Sequence, residues 1–216
     1  MSRTYDTFLF DLDGTITDSA LGITNSVMYA LKKFGIEETD RTKLYKFIGP
    51  PLTESFEKFY GFTKEQSLDG VKYYREYYHD KGIYENRVYD GLEEVLKKIN
   101  EAGKQAIVAT SKPEEYAKII IDHFHLTQYF ACVAGMEMDG GRGTKAQVIT
   151  YALEKNDITD KSKVLMIGDR EHDVIGAHLN GLDCLGILYG FGSREEFEEA
   201  GADYIRENVE DILQFV

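Results

Sequence analysis

Asp11 and Asp13 stand two positions apart behind the apolar run Phe8-Leu9-Phe10, in the stretch FLFDLDGTITDS. On an extended chain, residues with that spacing project to the same side, and Leu12 turns the opposite way. Neighbouring carboxylates repel, so the pair is tolerable chiefly when a cation neutralises it or one member keeps a proton. Turn capping is a second account of the same acids, because Asp and Gly are ordinary turn residues. The stretch VLMIGDREHD repeats the grammar, with an apolar run leading to Gly168, Asp169 and, four residues on, Asp173. Two strand ends rich in carboxylate oxygen suit a hard, octahedral ion that keeps some of its waters, so magnesium is the expected metal. Independent helix caps would have to be invoked twice to explain both clusters. His172, beside Asp173, reads as a neighbouring loop residue.

A third apolar run, in AIVATSKPEEY, ends in Thr110, Ser111 and Lys112, with Pro113 suited to the first position of a helix. Hydroxyls and free N–H groups at a helix start form an anion site, although capping alone accounts for Thr110 or Ser111 equally well. A phosphate dianion so close to carboxylates needs a further cation. Lys145 is the candidate, in GGRGTKAQVITYAL after a glycine-rich turn, and Arg142 is its nearest competitor.

These residues need elements to position them. The runs at 8–10, 106–109, 132–135, 164–167 and 185–188 are continuously apolar, as in strands covered on both faces of a parallel sheet. Helical patterns lie between them at 91–103, 113–124 and 144–155, so the alternation predicts a doubly wound, Rossmann-like α/β core. Residues from 19 to about 84 break the rhythm with amphipathic helical spacing (Ile23, Val27, Ala30, Leu31, Phe34) and no convincing buried strand. The expected organisation is a core of residues 1–17 and 85–216 with an inserted all-helical cap at 18–84, of a size that suits four short helices. Asp18 and Ser19 would start the hinge and cap the first helix of the insert. Its tyrosines Tyr73, Tyr74, Tyr77 and Tyr78 are expected to pack between helices with their hydroxyls at the surface.

Composition narrows the setting. A net charge of −13 repels nucleic-acid phosphates and anionic membranes, so neither a nucleic-acid polymer nor a membrane is an expected partner. The two cysteines, Cys132 and Cys184, each sit in an apolar run and read as buried thiols of a reducing compartment. Near the N-terminus the chain meets an acid after three consecutive apolar residues, and no run approaches the roughly 20 needed to span a bilayer. The expected location is cytoplasmic.

Four of these stretches, in this order, carry a resemblance: DLDGT (Asp11 to Thr15), Thr110 of VATSKP, Lys145 of GTKAQVI, and GDREHD (Gly168 to Asp173). In them the chain resembles the haloacid-dehalogenase superfamily, in its phosphatase branch with a helical cap after the first strand. The likeness runs over nearly the whole length, and its specificity rests on the first and last stretches. The nearest flavour is that of phosphoglycolate phosphatases, which share an IGPP-type cap loop, here Ile48 to Pro51. The segment GDREHDVIGAHLNG also resembles 5'-nucleotidases of the branch.

The resemblance implies Asp11 as a nucleophile that becomes an aspartyl phosphate and Asp13 as the general acid and base. It implies Mg²⁺ held by Asp11, the Asp13 carbonyl and Asp169, with Asp173 in support. Gly14, Thr15, Thr110, Ser111 and Lys112 would line the phosphoryl site, Lys145 would offset its charge, and Gly49 and Pro50 would reach substrate from the cap. An intact Asp13 argues against dehalogenase and phosphonatase chemistry. The substrate implied is a small phosphorylated metabolite. A 5'-nucleotidase, a sugar phosphomutase and a non-catalytic phosphate-binding module are the alternatives, and Lys43, Lys46 and Arg75 are candidates for setting specificity.

Overall fold

Each continuous apolar run forms a strand of the main sheet. The computed structural model describes residues 3–138 and 141–216, and in chain order it contains β1 (Thr7–Phe10), β2 (Thr17–Asp18), α1 (Ala20–Lys33), α2 (Leu52–Tyr60), α3 (Lys64–Asp80), β3 (Arg87–Val88), α4 (Leu92–Glu101) and β4 (Gln105–Pro113). There follow α5 (Glu114–His123), β5 (Phe130–Met136), α6 (Lys145–Lys155), β6 (Val164–Gly168), α7 (Glu171–Leu179), β7 (Asp183–Ile187), α8 (Arg194–Ala200) and β8 (Tyr204–Arg206). All four residues of β1 and all five of β6 are buried, as strands with helices on both faces must be.

The main sheet has the order β5-β4-β1-β6-β7-β8, and every neighbouring pair is parallel. The chain winds outward from β1 through β4 to β5, then crosses to β6 and winds the other way. Strand order therefore reverses beside β1, and open α/β sheets bind ligands outside the carboxyl ends of the strands at such a point. On one face Leu9 and Met166 of the strands meet Val148 and Ala152 of α6, Val174 of α7 and Phe197 of α8 in a single apolar cluster. Helices α4 and α5 pack on β4 apart from that cluster.

The chain divides into two compact units, Met1–Thr17 with Val88–Val216, and Asp18–Arg87. The second crossing falls three residues beyond the position expected from sequence. Short strands β2 and β3 pair where the chain leaves and re-enters the sheet unit.

The inserted unit is helical, with three α-helices rather than the four anticipated. Its second segment, Arg41–Phe47, is a 3₁₀ helix, and Gly49, Pro50 and Pro51 interrupt it before α2. Aromatic rings fill its interior: Phe47 meets Phe56 edge-on at 5.2 Å, and Phe34 meets Phe62 at 4.7 Å. Tyr74 and Tyr78 stack at 5.2 Å and both rings are buried, and the Tyr78 hydroxyl does not reach the surface as expected. Tyr77 does reach a polar partner, donating to Glu85 at 3.0 Å.

Two helix starts also differ from expectation. Ser19 occupies the cap position of α1 without a capping bond, and it is Asp18 Oδ1 that accepts the Ala20 N–H at 3.2 Å. Pro113 closes β4 and caps α5 instead of opening the helix, with ψ at 130°, because the strand runs on past Ala109 through a register irregularity.

Candidate active site

The site is built from strand ends. Asp11 directly follows β1, and its N–H donates to the Ile167 carbonyl at 2.9 Å, extending the β1–β6 ladder by one bond. The chain then turns tightly, with the Leu12 carbonyl accepting from the N–H groups of Thr15, Ile16 and Thr17 at 3.2, 2.9 and 2.9 Å. Leu12 itself, between Asp11 and Asp13, is fully buried and anchors this turn. Gly14 sits within it at φ +84°, and a Cβ there would lie 2.0 Å from Asp169 Oδ2. Only glycine allows both the backbone angle and the close approach.

Each of the first two carboxylates has its own ammonium. Lys145 opens α6, is buried, and places Nζ 2.9 Å from Asp11 Oδ1 and 2.6 Å from Asp173 Oδ1, while donating to the Ala109 carbonyl at 3.0 Å. Its helix starts firmly: the Thr144 hydroxyl accepts the Gln147 N–H at 3.3 Å and Gln147 Oε1 accepts the Thr144 N–H at 3.1 Å, a reciprocal capping box. Lys112, at the end of β4, donates to Asp13 Oδ2 at 2.6 Å, and both side chains are almost fully buried. The sequence reading assigned Lys112 to the phosphoryl group, whereas here its ammonium lies on the acid. Arg142, the competitor of Lys145, is engaged elsewhere, with Glu114 at 3.1 Å, Glu137 at 2.5 Å and the Tyr151 ring below it at 3.9 Å. Gly140 of the glycine-rich turn lies outside the described residues.

Asp169 follows β6 and is completely buried; the Phe191 N–H donates to its Oδ2 at 2.9 Å. Asp173 lies in the first turn of α7, where its Oδ2 accepts the Arg170 N–H at 3.1 Å. It is thus a helix cap and the partner of Lys145 at once, so capping and site chemistry are not alternatives at this residue. His172 lies on α7 and not in a loop. Thr110 is buried and its hydroxyl accepts the Lys112 N–H at 3.2 Å, while Ser111 is partly exposed. Thr15 is fully buried with its hydroxyl unpaired. Gly49 and Pro50 belong to the helical unit, in the turn before α2, with Gly49 at φ +103°. In the same unit Lys43 pairs with Glu38 at 3.5 Å and Lys46 lies 4.3 Å over the Phe59 ring.

The electrostatics follow from burial. Burial, then repulsion from Asp173 and Asp11, pushes the Asp169 carboxyl well above the usual range, against the opposing bond from Phe191. Asp173 is pushed up to about 6, chiefly by burial, with Lys145 drawing it down and Asp11 adding repulsion. Burial alone would lower Lys145, yet the facing carboxylates of Asp11 and Asp173 more than reverse that and keep it charged.

Ligand atoms of Asp11, Asp169 and Asp173 lie within 4.8 Å of one another, and Oδ1 of both Asp13 and Asp169 is buried without a hydrogen-bond partner. Buried carboxylate oxygens with no donor are a standing cost that a cation relieves, and an all-oxygen donor set fits Mg²⁺.

Residues 8–187 match the family model described as haloacid dehalogenase-like hydrolase, a span that takes in every strand end just described. The chain belongs to this family. A 5'-nucleotidase of Pseudomonas aeruginosa is 45% identical over 192 residues, covering 89% of this chain and 86% of that protein. The tyrosine-protein kinase PtkA of Mycobacterium tuberculosis is 34% identical over 91% of this chain and 67% of its own length. A crystal structure of a predicted phosphatase from Clostridium acetobutylicum superimposes with a TM-score of 0.94 at 48% identity, covering 98% of this chain and 97% of the other. More distant relatives carry the names phosphoglycolate phosphatase and pyrophosphatase. This haloacid dehalogenase-like chain is an enzyme of the phosphatase kind.

One feature of the site was not read from sequence. The Phe191 amide that bonds Asp169 lies in YGFGS, just past β7, where a fourth apolar run ends in two glycines rather than in acid or hydroxyl. A glycine-flanked aromatic at a strand end was the available signal.

Proposed function

We propose that the enzyme hydrolyses a small phosphomonoester with Mg²⁺ as cofactor, through a phosphoenzyme formed on Asp11. The observation that carries this reading is the pairing of Asp11 with Lys145 and of Asp13 with Lys112, side by side at the sheet's reversal point. An Asp11 oxygen attacks phosphorus as the bond to the ester oxygen breaks, and the acid form of Asp13 protonates the departing alkoxide. The Asp13 carboxylate then takes a proton from water as that water attacks phosphorus, which frees Asp11 and inorganic phosphate. Lys145 balances charge on Asp11 and on the transferring group, and Lys112 fixes where the Asp13 carboxylate points. Thr110, Ser111 and the backbone beside them supply donors for phosphoryl oxygens. Asp11, Asp169 and the Asp13 carbonyl would hold Mg²⁺, with Asp173 in support; the bound ion supplies Lewis-acid stabilisation of negative charge.

For the substrate, the relative at 45% identity named 5'-nucleotidase supports a nucleoside 5'-monophosphate ahead of phosphoglycolate. Free buried thiols at Cys132 and Cys184 support a reducing, cytoplasmic setting. Among the described residues no helix is long and apolar enough to cross a membrane.

The test is phosphate release from nucleoside 5'-monophosphates, 2-phosphoglycolate, hexose phosphates and pyrophosphate, with EDTA and Asp11→Asn controls. Release from one class, abolished by both controls, is the expected result. No release from any of them would overturn hydrolysis and turn attention to phosphoryl transfer between acceptors or to binding alone.

A further inference from the structure

The turn after β7 has no assigned role, yet it closes directly on Asp169. Tyr189, Gly190, Phe191 and Gly192 cross the carboxyl end of the sheet before Ser193 caps α8. A Cβ on residue 190 would lie 2.4 Å from Asp169 Cβ and 2.4 Å from the Gly14 carbonyl oxygen, and one on residue 192 would lie 2.1 Å from the Asp169 carbonyl oxygen. No side chain fits at either place, so the glycines let the backbone itself become the wall of the site. The closeness brings the Phe191 N–H to 2.9 Å from Asp169 Oδ2, while Oδ1 of the same buried carboxylate has no hydrogen-bond partner. From the same turn the Tyr189 hydroxyl donates to the Thr15 carbonyl at 3.0 Å, tying it to the loop that carries Asp13.

We propose that the Gly190-Phe191-Gly192 turn is the positioning element of the divalent-cation centre. Its amide holds one oxygen of Asp169, fixes the carboxylate's rotamer and leaves the other oxygen for the ion. Outer groups that orient a ligand typically govern metal affinity by one to two orders of magnitude, and here the outer group is a backbone amide that only a glycine-flanked turn can deliver. The inference rests on the proposal that Asp11, Asp13 and Asp169 hold Mg²⁺. It adds a residue whose side chain is not the active part, so replacing the ring and removing the amide have different consequences.

The experiment is Mg²⁺ titration by calorimetry, repeated with Mn²⁺ by electron paramagnetic resonance, on the wild-type chain and three variants. Phe191→Pro removes the N–H, Gly190→Ala pushes a methyl against Asp169, and Phe191→Leu keeps the amide while changing the ring. The expected result is a Kd raised about 10- to 100-fold in the first two and less than about threefold in the third. In parallel, hydrogen exchange of the Phe191 amide in the metal-free protein should speed up at least about tenfold in Asp169→Ala, where the acceptor is gone, a readout independent of whether the proline and alanine variants fold. Absence of Mg²⁺ binding by the wild type would overturn the metal reading and this inference with it. Wild-type binding combined with an unprotected Phe191 amide, or with equal affinity in Phe191→Pro and Phe191→Leu, would overturn the positioning role alone.

Discussion

Asp11 and Asp13 are chemically identical side chains two residues apart, yet each meets a different lysine from a different element. That division orients each carboxylate by a different donor, as the separate tasks proposed for the two like groups require. Asp169 has no ammonium partner among the contacts described and carries the electrostatic cost of the cluster. Its raised pKa has a consequence for stability. In the metal-free protein the folded state holds a proton on Asp169 over a pH range in which the unfolded chain has released it, so stability from this group falls as pH rises out of the ordinary carboxylate range. Asp173, pushed up to about 6, adds the same slope below that pH. Asp169→Asn removes the larger part. Without divalent cation, the melting temperature of the variant relative to wild type should therefore rise as pH climbs out of the ordinary carboxylate range, and Mg²⁺ should stabilise only the wild type. Parallel melting curves across that range, measured by differential scanning fluorimetry, would show that the cluster is not electrostatically frustrated.

Among the elements, α6 does most to deliver the site, since its first residue is Lys145. A buried lysine at the frayed end of a helix needs that end held, and the box between Thr144 and Gln147 holds it. Thr144→Ala should cost about 1 kcal/mol of stability. It should also lower kcat more than a matched cap deletion at Thr63, whose box with Gln66 starts α3 in the other unit. Equal effects on kcat would reduce Thr144 to ordinary capping. The same element shows what was legible in the sequence. Strands β1, β4, β5, β6 and β7 could be read because continuous apolarity marks burial on both faces, and the acids behind β1 and β6 followed from their strand ends. Strand β8 could not: Tyr204–Arg206 is half-buried at the edge and only three residues long. Lys112 was visible as a cation, but its partner depended on β4 running past Ala109, which no pattern of residue types announces. The Phe191 amide was harder still, because every non-proline residue has one and only the fold decides which is aimed.

At the scale of the whole molecule, the parallel sheet concentrates its useful atoms at the carboxyl ends of its central strands while the chain carries a net charge of −13. The proposed substrate is itself an anion, so the distant field opposes capture and the local field of Lys112, Lys145 and a bound cation favours it. Range decides between them. The Debye length is about 30 Å at about 0.01 M salt and about 8 Å near physiological ionic strength, so added salt screens the spread-out acids before it weakens buried contacts a few ångströms away. With Mg²⁺ held saturating, kcat/KM for the preferred phosphomonoester should rise by a factor of a few as monovalent salt increases over that range, while kcat stays level. A fall in kcat/KM would mean that the lysine pair and cation project their field into solvent and steer substrate despite the acidic surface. A change confined to kcat would locate the salt effect in the chemistry at Asp11 and Asp13 instead of in encounter.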